Sequence, residues 1–96
     1  MKKLSSIETV LIGKWEFKNG KIAPDDACKR IDWLIANCFD EICVDNREWR
    51  VLYRDINDGR LWELTYPFSN MHGCGPPKIE SISEKLALKY SAFSNE

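Results

Sequence analysis

The stretch Trp49-Arg50-Val51-Leu52-Tyr53-Arg54-Asp55-Ile56-Asn57-Asp58-Gly59-Arg60-Leu61-Trp62-Glu63-Leu64-Thr65-Tyr66 decides the fold. In its first half Trp49, Val51, Tyr53 and Asp55 alternate with Arg50, Leu52 and Arg54. In its second half Leu61, Glu63 and Thr65 alternate with Trp62, Leu64 and Tyr66. A period of two is the signature of a pleated strand, whose side chains point to opposite faces in turn. Between the halves, Asn57-Asp58-Gly59-Arg60 reads as a hairpin turn, because Asp-Gly supplies residues suited to positive φ. An antiparallel hairpin is therefore expected at the centre of the chain.

Upstream, Asp40-Glu41-Ile42-Cys43-Val44-Asp45 has a short apolar centre and reads as another strand, joined through an Asn46-Arg47 turn. Such short connections make the three strands an antiparallel meander. Further upstream, Pro24-Asp25-Asp26 looks like a helix start, with an aspartate to cap free backbone amides. Cys28, Ile31, Leu34, Ile35, Cys38 and Phe39 follow at helical spacing, with Lys29, Arg30, Asp32 and Asn37 opposite. Val10 to Phe17 reads as one strand with Trp15 and Phe17 on its buried side, closed by an Asn19-Gly20 turn. Residues 1–8 are polar and expected to be frayed or loosely docked.

Downstream, Pro67 to Pro77 is too rich in glycine and proline for a regular element. Lys78 to Ile82 reads as a short strand, and Ser83 as the cap of a final helix holding Leu86, Leu88 and Tyr90. The expected architecture is α+β: a small antiparallel sheet of four to five strands, covered on one face by a long helix, with a short C-terminal helix. A chain of 96 residues suits a single domain, 1–96, with its core at about 10–90.

Charge and cysteine content narrow the function. The net charge of −1 gives no bulk attraction to nucleic acid or anionic lipid. The longest apolar run, Val10-Leu11-Ile12, is far short of a membrane span, and no export signal opens the chain, so a cytoplasmic protein with no membrane association is expected. In that compartment Cys28, Cys38, Cys43 and Cys74 are read as reduced thiols. No CxxC pair occurs and His72 is the only histidine, so neither a metal nor a cofactor is expected.

Catalysis needs two or three groups in mutual hydrogen-bond reach. His72 and Cys74 share a Gly-rich loop, but partners in a Cys–His pair usually come from different elements. Asp55, Asp58 and Glu63 flank the hairpin turn, and Asp40, Glu41 and Asp45 flank the strand before it. Buried pairs of such carboxylates can act as acid and base, yet turns and strand ends are also where solvated acids fall. Gly73-Cys74-Gly75-Pro76-Pro77 lacks the Lys-Ser/Thr of a phosphate-binding loop. Trp15, Trp33, Trp49, Trp62, Tyr53 and Tyr66 supply core, with one or two available as surface anchors. No catalytic residue is expected; the alternatives are a ligand- or RNA-binding module using an aromatic sheet face, and a small enzyme using His72 and Cys74.

One block resembles a known family. Asp58-Gly59-Arg60 leads into Trp62-Glu63-Leu64-Thr65-Tyr66-Pro67, and Met71-His72-Gly73-Cys74-Gly75-Pro76-Pro77 follows. This pattern is similar to that of bacterial polymorphic-toxin immunity proteins of the immunity protein 27 family. Leu11-Ile12-Gly13-Lys14-Trp15 and Cys28-Lys29-Arg30-Ile31 resemble the family's opening strand and helix, so the likeness runs from about Leu11 to Ser83. Cys74 and Phe68 depart from it, standing where a glycine and a polar residue are usual. The resemblance implies a partner: the C-terminal domain of a cognate toxin, often a nuclease, from a contact-dependent growth inhibition or related system. The residues fit such an inhibitor, since they offer no reaction centre; a monomer is expected, and the oligomeric state is not written in the sequence. On the hairpin, acids and large rings converge, so Asp55, Asp58, Glu63, Trp62 and Tyr53 are expected to face the toxin. The structural alternative is that the same motif serves to build the hairpin and loop.

Overall fold

A computed structural model describes residues 2–45, 49–67 and 75–90. Along the chain come β1 (Val10–Ile12), β2 (Trp15–Lys18), β3 (Lys21–Pro24), α1 (Asp26–Asn37), β4 (Phe39–Asp45), β5 (Arg50–Asp55), β6 (Leu61–Thr65), β7 (Lys78–Ile82) and α2 (Glu84–Ala87). The alternating central stretch becomes β5 and β6, paired antiparallel with Tyr53 opposite Trp62 and Leu52 opposite Glu63. They lie inside a five-stranded antiparallel sheet of order β1-β7-β6-β5-β4, while β2 and β3 form a separate two-stranded ribbon. The class is α+β. The expected Asn46-Arg47 turn and the loop holding Phe68, Met71, His72 and Cys74 lie outside the described residues.

Both faces of the large sheet are packed, because the alternation sends apolar side chains both ways. On one side Tyr53, Trp62, Leu64 and Ile79 join Ile31, Leu34 and Cys38 of α1 and its C-cap in one cluster. On the other, Leu52 and Leu61 meet Ala87 and Tyr90. Of the two aspartates at the helix start, Asp25 caps α1, its carboxylate accepting from the Cys28 amide at 2.9 Å. The helix has 12 residues, so it is not the long element expected. Cys38 and Phe39 belong to its C-cap and to β4, not to the helical stripe. Their inward direction survives because the cap leads straight into the strand.

Other boundaries moved for identifiable reasons. Val10 to Phe17 is not one strand. It breaks at Gly13-Lys14, where the Gly13 amide donates to the Pro77 carbonyl at 2.8 Å and β1 gives way to β2 in the other sheet. Asn19 (φ 51°) and Gly20 (φ 76°) form a two-residue turn of the left-handed kind that suits a right-twisted hairpin. Asp58-Gly59, by contrast, lies within a longer loop closed by the Asp55 amide on the Arg60 carbonyl, 2.9 Å, with only Gly59 at positive φ. The final helix is a single turn capped by Ser83; Leu86 and Leu88 are exposed, and Tyr90 buries itself beyond the helix end.

The N-terminal segment is held, not frayed. The Arg30 guanidinium donates to both Glu8 carboxylate oxygens, at 2.7 and 2.8 Å, and to the carbonyls of Lys2 and Lys3. Arg60 donates to the carbonyls of Ser5 and Glu8. No helix among the described residues is long and apolar enough to cross a membrane.

Candidate functional site

The five residues that the sequence assigns to a toxin-facing surface sit together, but mostly inside the protein. Trp62 is 0% exposed, Asp55 1%, Tyr53 7% and Glu63 8%. Trp62 and Tyr53 point toward α1, where Phe39 packs on both rings. Asp55 is a turn organiser: its Oδ1 accepts from the Asn57 amide at 2.8 Å and from Asn57 Nδ2 at 3.2 Å. Asp58 alone reaches the surface, and its carboxylate accepts from Arg60 Nε at 2.7 Å. Arg60 in turn lies 4.9 Å over the Trp62 ring. In this fold, Asp58 is the one member of the five that a partner meets without rearrangement. With Tyr53 and Trp62 buried, the aromatic sheet face expected to stack bases has no open surface at those two rings.

Glu63 belongs to a polar cluster on the opposite face. Tyr90 Oη donates to its Oε2 at 2.8 Å, and Lys89 Nζ lies 2.6 Å from the same oxygen. Burial pushes the Tyr90 hydroxyl pKa up, and the Glu63 carboxylate pushes it further. The phenol therefore stays protonated and donates; it is not a base. Nearby, Arg50 donates to Asp45 at 2.8 Å and stands 5.7 Å over the Tyr90 ring. This cluster straps the C-terminal turn onto the sheet.

Among the described residues no group of three or more His, Cys, Asp or Glu side chains is placed to hold a metal ion. Cys28 is buried, its thiol donates to the Lys14 carbonyl at 3.3 Å, and burial raises its pKa, so it is a poor nucleophile.

The surface the sequence reading missed is the β2–β3 ribbon. Its register sets Trp15 opposite Pro24 and Phe17 opposite Ile22. Directly opposed residues share a face, so one side of the ribbon is apolar. Yet Phe17 is 74% exposed and Ile22 67% exposed. A groove of about 270 Å³ runs along it, lined by Trp15, Ile22, Ala23 and Pro24. The ribbon is tied to the body at its base, where the Lys14 carbonyl accepts from the Asp25 amide at 3.0 Å as well as from the Cys28 thiol. The available signal was Phe17-Lys18-Asn19-Gly20-Lys21-Ile22, in which a two-residue turn pairs the phenylalanine with the isoleucine.

No curated protein and no solved structure matches the chain. The family described as immunity protein 27 matches residues 17–83, from the apolar ribbon to the cap of α2. That span is well over half of the chain and contains α1, the β5–β6 hairpin and every strand of the large sheet but β1, so this protein belongs to the immunity protein 27 family.

Proposed function

We propose that the protein binds a cognate bacterial toxin and neutralises it by covering a surface the toxin needs, making and breaking no bond itself. Membership of an immunity protein family over residues 17–83 carries this reading. The toxin is a nuclease effector domain of a contact-dependent or related polymorphic system, and the inhibitor meets it in the cytoplasm as a monomer.

Physical chemistry supports the nuclease assignment in one respect. An enzyme that handles nucleic acid presents a basic surface to phosphate, and an acidic inhibitor is drawn to it and oriented by it. Asp58, Asp40 and Glu41 are exposed, and the register pairs the start of β4 with the end of β5, beside the turn that carries Asp58. The buried members of the same block, Asp55, Tyr53, Trp62 and Glu63, then shape this end of the sheet from within.

Titration of the inactivated effector domain encoded beside this gene tests the reading. The double variant Asp40→Lys, Asp58→Lys is expected to bind at least tenfold more weakly, with the gap closing as salt is raised, since exposed charges are screened. Cells left unprotected by the wild-type protein when that effector is co-expressed would sink the proposal.

A further inference from the structure

The geometry points to the β2–β3 ribbon as a toxin-gripping arm, whose occupant is an apolar projection on the toxin rimmed by carboxylates and lying away from any phosphate-binding cleft. This rests on the toxin-binding reading above and adds the surface and the partner's chemistry.

Three observations carry it. The first is that the apolar face is open. Phe17 and Ile22 stand paired and exposed beside the groove lined by Trp15, Ile22, Ala23 and Pro24. In a lone two-stranded ribbon, which is marginal in water, such side chains help neither a core nor solubility. Large apolar groups beside a pocket are what the centre of a protein interface uses.

The second is charge. Residues 14–24 carry three lysines and one glutamate, while the remaining 85 residues carry fourteen acids against eleven bases. The single glutamate, Glu16, already pairs with Lys18 at 3.2 Å. The arm is therefore a basic, apolar element on an acidic body. A basic nucleic-acid cleft repels it, and a carboxylate-rimmed patch attracts it. The acidic end of the sheet and the arm thus suit two different parts of one partner.

The third is area. Phe17, Ile22 and the exposed parts of Trp15 and Pro24 offer on the order of 300 Å², short of the ~800 Å² per partner that a stable dimer interface needs. A second copy of this chain seated on the ribbon alone falls below that size. An arm that adds to a larger contact with another protein does not.

The test is calorimetric titration of the inactivated effector domain with wild-type protein, with the double variant Phe17→Ser, Ile22→Ser, and with Lys21→Glu, each first checked for folding by thermal melting. Both changes fall on exposed side chains, so the fold is expected to stand. If the double variant fails to fold, Lys21→Glu still decides. The expected result is at least tenfold weaker binding by the double variant, and a weakening by Lys21→Glu that shrinks as salt rises. Wild-type affinity in the folded double variant, or in Lys21→Glu at low salt, overturns the arm and leaves the toxin-binding reading intact. Wild-type protein that does not bind the effector domain at all overturns both. Self-association lost in the double variant, with toxin affinity unchanged, assigns the ribbon to a second copy and also overturns the arm.

Discussion

At Gly13 a hydrogen atom stands where any other residue would put a carbon 2.6 Å from Cys28 Sγ and 2.8 Å from the Pro77 carbonyl oxygen. Both distances are well inside van der Waals contact, and the oxygen belongs to backbone that already accepts the Gly13 amide. Three parts of the chain converge there: the break between the two sheets, the first turn of α1, and the segment entering β7. Gly13→Ala is expected to destabilise the protein by about 1–3 kcal/mol, the cost typical of overpacking, read as a lower urea midpoint at unchanged slope. At this scale the sequence was legible where the chemistry is local. The Asp25-Asp26 pair and Ser83 mark helix starts because a short oxygen-bearing side chain before a helical run has few other uses, and the structure selects Asp25 of the pair. The role of Glu63 was not legible, because its partners Tyr90 and Lys89 are 27 and 26 positions away in the chain.

Among the elements, the N-terminal segment differs most from its reading. Residues 2–8 bring only Leu4 against the core cluster, and two arginines pin the segment through polar contacts. Hydrogen bonds from Arg30, with help from the Ser5 amide, hold the Glu8 carboxyl down at about 2, against 4.5 for an ordinary glutamate. In the unfolded chain Glu8 takes up its proton near 4.5, and in the folded protein only near 2. Its contribution is therefore complete above about pH 4.5 and is lost as pH falls toward 2. Glu8→Gln is expected to cost about 1 kcal/mol at neutral pH, in line with a partly exposed bidentate pair. It should also flatten the loss of stability across that acid window, as followed by urea unfolding at a series of pH values. An acid limb of equal steepness in the variant would show that Glu8 is not clamped. Arg60, in the same motif as Asp58, holds the other side of the segment, so Asp58-Gly59-Arg60 joins the central hairpin to the N-terminus.

Across the whole molecule, the sheet divides its apolar residues between two clusters, one shared with α1 and one closed by Ala87 and Tyr90. That division separates the tryptophans, which look alike in sequence. Trp62 is fully enclosed and Trp49 is 67% exposed. Trp62→Ala is expected to lose about 3–5 kcal/mol, as for other buried large-to-small changes. Trp49→Ala should stay within about 0.5 kcal/mol, as for surface positions. Denaturant unfolding of the two variants side by side makes the comparison. Equal losses would contradict the arrangement of the sheet between its two clusters.

By itself the sequence determined the α+β class, the central hairpin, the start of α1 and the family. Each of these rests on period, turn chemistry or a run of matching residues, and all three are written in neighbouring positions. The tertiary structure alone decided what faces outward. It put Asp55, Glu63, Tyr53 and Trp62 inside, left Asp58 at the surface, and exposed Phe17 and Ile22. The reason is physical: an amphipathic strand has the same apolar face whether or not another element packs on it. Burial is set by every neighbour at once, and most of those neighbours are distant in the chain.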